Sequence, residues 1–306
     1  MYDLLIIGGG PAGIAGGVYA SRKQLKTLFV TKEWGGQSIV SPDIQNWIGT
    51  PSIAGDQLAK DLEAHLKTYA DGFVEIKENT LVTNIKKNGD VFSVTLDKGE
   101  EVEAQAILVA TGSKRRRLTV PGADEFEHKG LTYCATCDGP LFAGQDVAVI
   151  GGGNAAFETA AQLLAYAKSV TLLQRSGAYK ADPVTVEKVL SHENMRGILN
   201  AQLTAVTGDK FVSGLTYTDQ NGAEEKLVVG GIFVEIGMLP NTDFLKGVVE
   251  LDDYNRVTID PWTQQTSVPG IWAAGDCTNI KYHQNNISAG DAVRALEDIY
   301  VTLKTR

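Results

Sequence analysis

The sequence predicts an α/β protein built from two copies of one strand–turn–helix–strand unit, with the second copy set inside the first. Three observations carry this reading: a glycine-rich segment that occurs twice, apolar strands flanking each copy, and a further apolar strand near the C-terminal end. Ile7-Gly8-Gly9-Gly10-Pro11-Ala12 recurs as Ile150-Gly151-Gly152-Gly153-Asn154-Ala155, 143 residues on when counted from Gly8 to Gly151. The same spacing carries the strand-like Leu28-Phe29-Val30-Thr31 onto Thr171-Leu172-Leu173-Gln174. A whole unit is therefore duplicated, and self-similarity of this kind outranks other fold signals.

The elements follow in order. Leu4 to Ile7 is an unbroken apolar run leading into glycines, the pattern of a strand buried on both faces. Ile14 to Arg22 and Phe157 to Ala167 are Ala-containing helix-like stretches, the second also with Leu, each closing a βαβ unit with the strand that follows. Ala106 to Val109 runs into Ala110-Thr111-Gly112, and Gly231 to Ile236 runs into Gly237. Both read as buried parallel strands with a tight exit. Ile271-Trp272-Ala273-Ala274-Gly275-Asp276 is a third. This last strand returns the chain to its first half, so residues 1–113 and 243–306 are expected to form one domain around an inserted domain of residues 116–242, with crossings near 112–117 and 237–243.

Length and composition agree. At about 150 residues per domain, 306 residues suit two domains. Glycine, 33 residues or roughly 11% against a usual 7% or so, is the outlier. With only 9 prolines and no Gly-X-Y period, collagen-like and low-complexity readings fail. A net charge of −9 argues against general affinity for nucleic acid. No run of 18 apolar residues is present, and the first glycine motif begins at Gly8, so a cytoplasmic protein with no membrane span and no leader is expected.

Each glycine motif has the G-x-G-x-x-G/A form between a predicted strand and helix: Gly8, Gly10 and Gly13 in the first, Gly151, Gly153 and Ala156 in the second. In such a motif the first glycine makes the turn and the second admits a pyrophosphate to the backbone. The third lets helix pack on strand, while the helix N-terminus favours the anion. Pro11 and Ala12 open the first helix, Asn154 and Ala155 the second. Two Rossmann-like sites imply two dinucleotides. The acid that holds a ribose hydroxyl at the end of the next strand is missing at Thr31 and at Gln174. Glu33 stands two residues late in the first copy, while Arg175 and Lys180 leave room for a 2′-phosphate in the second.

Only three cysteines occur, Cys134, Cys137 and Cys277. Cys134-Ala135-Thr136-Cys137 is a C-x-x-C, whose thiols can cycle between dithiol and disulfide. Zinc would need about four ligands, and Cys277 and the histidines show no such spacing. A structural bridge over so short a loop would remove little entropy from the unfolded chain. Asp138 is either the proton donor to a leaving thiolate or a turn-capping residue before Gly139-Pro140. The pair lies 14 residues ahead of Gly151, on the nicotinamide-binding domain, so electrons need a relay. A flavin in the first domain supplies one, with rotation of the inserted domain about its crossings during turnover. Lys114-Arg115-Arg116-Arg117 falls on the first crossing and reads as a solvated charge run or a docking site for an acidic group. Trp34, Trp47, Trp262 and Trp272 read as packing residues and Cys277 as a small buried filler.

These motifs, together with Gly35-Gly36-Gln37, Gly139-Pro140-Leu141-Phe142, Gly275-Asp276-Cys277-Thr278 and Gln284, resemble the low-molecular-weight bacterial thioredoxin reductases. Several stretches are similar also to the flavoprotein portion of the F subunit of alkyl hydroperoxide reductase. The resemblance covers essentially the whole chain. It implies FAD on the first domain, NADPH or NADH on the second, and a homodimer. It further implies that Cys137 faces the flavin, that Cys134 attacks the partner disulfide, and that Asp138 is the acid/base. Gly36, Gln37, Asn46, Ala110, Thr111, Gly112, Gly275, Asp276 and Gln284 then belong to the FAD site. Departures occur at Gln174-Arg175-Ser176…Lys180, where thioredoxin reductases typically carry His-Arg-Arg…Arg, and at Asn285, Asn286 and Ala292.

The expected activity is electron transfer from NAD(P)H through FAD and the Cys134–Cys137 disulfide to a thioredoxin-like protein or another protein disulfide, supplied by a separate chain. Alternatives are a reductase feeding a peroxiredoxin system with NADH, one fed by a donor such as ferredoxin, and a flavin redox sensor that does not turn over. No metal is expected.

Overall fold

The computed structural model describes residues 1–41, 44–133 and 135–305, without the side chains of Val40, Thr136 and Cys137. They divide into two compact units, Met1–Lys114 with Leu239–Arg306, and Arg115–Met238. The first unit opens with β1 (Tyr2–Gly9), α1 (Pro11–Arg22) and β2 (Thr27–Trp34). Leu4 to Ile7 are buried, which explains why β1 lacks the polar alternation of a half-exposed strand. Pro11 starts α1 three residues ahead of its apolar pattern, because proline at the first helical position gives up only an N–H that has no partner there. Next come α2 (Gly55–Ala70), β3 (Val74–Lys77), the hairpin β4 (Val82–Asn88) and β5 (Val91–Leu96), and β6 (Glu101–Val109). The chain leaves this unit through β7 (Ser113–Arg115).

The second unit holds α3 (Ala123–Phe126), β8 (Leu131–Thr132) and the short α4 (Ala135–Asp138). Its repeated motif follows as β9 (Asp146–Ile150), α5 (Asn154–Leu163) and β10 (Ser169–Leu173). Then come α6 (Pro183–Leu190), β11 (Met195–Ile198), the antiparallel β12 (Gln202–Gly208), β13 (Val212–Thr218) and β14 (Glu224–Val228), and β15 (Gly231–Val234). The chain returns by β16 (Met238–Pro240), which pairs with β7, so the two crossings form one ribbon. β17 (Ile271–Ala273) and α7 (Asn285–Thr305) complete the first unit.

The two main sheets share the order of four strands and differ in the fifth, which comes last in the chain in the first unit and first in the second. In the second unit the order is β11-β10-β9-β15-β8. In the first, β3-β2-β1-β6 is extended by β17, because β6 forks: Glu101 to Ala104 pair with β5, and Ile107 to Val109 pair in parallel with β17. From β1 in one sheet and β9 in the other, the chain moves outward one way and then resumes on that strand's other side. The reversal lies between β1 and β6 in one unit and between β9 and β15 in the other. At such a point the ends of neighbouring strands open a crevice where α/β sheets take their ligands.

Each sheet is packed on both faces. In the first unit Ile14 and Val18 of α1 meet Ala295 and Ile299 of α7 on one side, while Phe92 and Val94 of the hairpin meet Leu245 and Val257 on the other. Trp272 is fully buried and donates from Nε1 to Asp298 Oδ2 at 2.8 Å. Cys277 is also buried, and burial pushes its thiol up to about 11. The expectation that all four tryptophans pack fails at Trp262, which is 85% exposed. Its backbone N–H is held by Asp260 at 2.8 Å in a polar turn, so the loop's conformation does not depend on the indole.

Candidate functional site

The first cradle is set by backbone geometry. Gly8 has φ +120°, and a Cβ there would lie 2.2 Å from Ala110 O, so only glycine makes this turn. A Cβ on Gly13 would lie 1.8 Å from Gly8 O, so the third glycine lets α1 seat on the turn. Gly10 differs. Its φ of −82° suits any residue, and nothing lies within 4 Å of where its Cβ would be. The protein itself makes no demand for glycine there. No side chain caps α1, which leaves N–H groups directed at that same space. Bare backbone plus uncapped donors at a helix N-terminus suits an anion.

Around this turn lies a cleft of about 480 Å³. It collects the expected Gly8, Gly10, Pro11, Ala12 and Glu33, with Gly36 and Gln37. Ala110, Thr111, Gly112, Gly275 and Asp276 line it as well. Gly13 lies behind the turn, and Asn46 and Gln284 are not among the lining residues, although Asn46 Nδ2 donates to Gln284 Oε1 at 3.0 Å. Thr31 is not the end of its strand, contrary to expectation. β2 continues to Trp34, Thr31 Oγ1 donates to Glu33 O at 2.5 Å, and Glu33 stands exposed at the strand end on the cleft.

Sequence reasoning had no role for Asn285 and Asn286, and the structure provides one. Ser38 Oγ donates to Asn285 Oδ1 at 3.1 Å, Asn286 Nδ2 donates to Asn46 O at 2.7 Å, and Ile48 N donates to Asn286 Oδ1 at 3.3 Å. The amides fasten the segment after β2 to the start of α7. Asn241, also unforeseen, trades bonds with Thr111 at 2.8 and 2.9 Å, and Ser288 Oγ donates to Asp276 Oδ1 at 3.2 Å.

The second cradle repeats the geometry. Gly151 has φ +142°, and its Cβ would lie 2.2 Å from Glu235 O. Gly153, like Gly10, has ordinary φ and open space at its Cβ, and no side chain caps α5. Ala156 is fully buried, Ala155 and Asn154 are exposed, and Asn154 Oδ1 accepts from Asp182 N at 2.8 Å. Gln174 follows β10, is 7% exposed, and packs where a Cβ on Gly152 would fall. Its Nε2 donates to Ser176 Oγ at 2.9 Å and Ala178 O at 3.2 Å. Lys180 N donates to Gly152 O at 2.7 Å, and the Arg175 and Lys180 side chains are exposed.

Of the C-x-x-C, Cys134 and the Cys137 side chain lie outside the described residues. Asp138 ends α4 half-buried, and its Oδ2 accepts from the buried Thr132 hydroxyl of β8. It faces a cavity of about 360 Å³ whose walls include Leu141, Phe142 and Phe211. Arg117 pairs with Glu127 at 3.4 Å. Among the described residues, no helix is long and apolar enough to cross a membrane.

Two glycine cradles stand at two strand-order reversals, where α/β sheets take dinucleotides, and a C-x-x-C precedes the second. The chain belongs to the pyridine nucleotide-disulphide oxidoreductase family, which it matches over residues 2–290. FAD and NAD(P)H are the cofactors of that family, and the bare backbone at Gly10 and Gly153 fits a pyrophosphate in each cradle. The chain is similar to the NADH dehydrogenase of Bacillus subtilis strain 168, at 40% identity over 96% of this chain and 57% of that protein. It is similar to the F subunit of alkyl hydroperoxide reductase from Escherichia coli K12, at 41% identity over 96% of this chain and 57% of that protein. The chain thus spans little more than half the length of these curated relatives. Among solved structures, it superposes on the thioredoxin reductase of Streptococcus pyogenes MGAS5005 with TM-score 0.84 and 32% identity, covering 100% of this chain and 99% of that one.

Proposed function

We propose that this chain is an FAD-dependent disulfide reductase that passes electrons from NAD(P)H to the Cys134–Cys137 disulfide and on to a thioredoxin-like protein. The observation that carries the reading is the pair of cradles that leave glycine backbone bare where the protein makes no steric demand for it. FAD, when bound, supplies the two-electron relay between nicotinamide and disulfide. Gly8, Gly10 and the α1 N-terminus hold one pyrophosphate, with Glu33 at the ribose hydroxyls. Gly151, Gly153 and the α5 N-terminus hold the other. Asp138, oriented by Thr132, delivers the proton to the leaving thiolate. The apolar walls of the neighbouring cavity, Leu141, Phe142 and Phe211, seat the partner segment that carries the disulfide.

The second site favours NADPH. Gln174 is neutral where a carboxylate would hold a ribose 2′-OH, and Arg175 and Lys180 suit a 2′-phosphate. The decisive experiment is steady-state reduction of a panel of thioredoxin-like proteins with NADH and NADPH side by side. Cys137→Ser is expected to retain FAD and lose disulfide reduction, and retained reduction would remove Cys137 from the mechanism. A non-catalytic flavin sensor predicts no turnover in this assay.

A second reading, a reductase feeding a peroxiredoxin system with NADH, is favoured by the similarity to the alkyl hydroperoxide reductase protein and predicts faster turnover with NADH. The intact second cradle argues against a donor such as ferredoxin. A homodimer in the cytoplasm belongs to the same reading, and sedimentation of the FAD-loaded protein tests the dimer.

A further inference from the structure

Glu235 is a carboxylate that the chemistry above does not use. It follows β15, on the far side of the reversal from β10, and its own carbonyl oxygen walls the Gly151 turn. A dinucleotide whose pyrophosphate lies at the α5 N-terminus sends one nucleoside over β10 and the other over β15. Gln174 and the loop behind it stand at the adenosine side. Glu235 therefore stands at the nicotinamide side. Its Oε1 accepts from Thr159 Oγ1, on α5, at 2.9 Å, a bond that fixes the side chain against the helix whose N-terminus takes the pyrophosphate. The other charged groups facing it are Arg115, on β7, and Glu158, on α5. Burial pushes this carboxyl above the ordinary carboxylate range, opposed by the Thr159 hydrogen bond and the Arg115 charge.

We propose that Glu235 is the counter-charge of the nicotinamide half, favouring the oxidised, cationic ring over the reduced, neutral one. The inference rests on the reading of the second unit as the nicotinamide site. An anion beside the ring interacts with the positive charge of the oxidised form and has nothing comparable to gain from the reduced form. When Glu235 is protonated that difference disappears, and Arg115 is left as the nearby charge. By linkage, binding of the oxidised cofactor must then expel a proton from Glu235 wherever the free carboxyl is partly protonated.

The test is calorimetric titration of the oxidised, FAD-loaded full chain with NAD⁺ and NADP⁺ and with the redox-inert 1,4,5,6-tetrahydronicotinamide analogue of each, whose ring is neutral. No electrons move in any arm. At pH 8 the cationic form should bind about tenfold more tightly than its analogue, the size of one screened charge contact. That ratio should collapse as pH falls, with proton release seen as a buffer-dependent heat for the cationic ligands alone. Glu235→Gln should abolish the ratio and its pH dependence. Thr159→Val, which removes a hydrogen bond to the anion, should move the midpoint to higher pH. A ratio indifferent to pH and unchanged in Glu235→Gln overturns the role of Glu235 while leaving the nicotinamide site standing. Failure of all four ligands to bind overturns that site and the inference together.

Discussion

Gly10→Ala and Gly153→Ala isolate the cofactor's share in the two cradles. At both positions the backbone is extended with φ of −82° and −95°, and no heavy atom lies within 4 Å of the new Cβ. The folded protein without cofactor should therefore tolerate the methyl. Alanine also narrows the unfolded ensemble, so cofactor-free stability should rise by about 0.4–1 kcal/mol. The same methyl sits over the uncapped helix N-terminus, where the proposed pyrophosphate would approach. Loss of one charge-assisted hydrogen bond there costs about 1.5–3 kcal/mol, roughly a ten- to hundredfold loss of affinity. Flavin absorbance retained after dialysis reads the first site, and calorimetric binding of NAD(P)⁺ reads the second. Gly10→Ala should lose FAD and keep nicotinamide binding, and Gly153→Ala should do the reverse. Gly13→Ala is the control for fold, since its Cβ would fall 1.8 Å from Gly8 O and must destabilise the protein with or without flavin. Undiminished FAD affinity in Gly10→Ala would refute the assignment of the cradle.

Further outcomes follow from packing and burial. Cys277, fully buried with its thiol raised to about 11, should resist a thiol reagent in the reduced native protein and react only after denaturation, a difference read by counting labelled cysteines in each state. Trp272→Phe removes both indole volume and the donor to Asp298, so it should lower stability by about 2–4 kcal/mol, seen as a lower denaturant midpoint at unchanged slope. Asp291 is raised by burial against the pull of Arg294 and His283, and its Oδ2 has no hydrogen-bond partner. The folded protein then holds a proton that the unfolded chain releases. This contribution is full below the ordinary carboxylate pKa and is lost as pH rises through the raised one. Asp291→Asn should flatten that part of the stability–pH profile, and an unchanged profile would contradict the assignment. Asn286→Ala should loosen the segment around Asn46 and Ile48, detected as faster amide exchange of Ile48.

What was legible in the sequence is what neighbouring residues encode among themselves. A glycine required by φ +120° or +142°, an apolar run buried on both faces, and two thiols three positions apart are local patterns, and the repeat of the first two announced two similar strand–turn–helix units in one chain. Strand ends were less legible, because pairing decides where a strand stops. β2 runs on past Thr31 through a shift in its register with β1, and that shift brings Glu33 to the cleft. Trp262 shows the same limit for burial, since an indole packs only where a neighbouring surface comes to meet it.

By itself, the sequence determined the two glycine turns and set two cysteines three positions apart, because both arise from backbone demands and spacings of a few residues. Tertiary structure alone decided which distant groups would meet: Asn46 with Gln284 and Asn286, Asn241 with Thr111, Glu235 with Thr159. No periodicity links residues 76 or 240 positions apart. Their hydrogen bonds exist because strand order and helix packing bring them within reach.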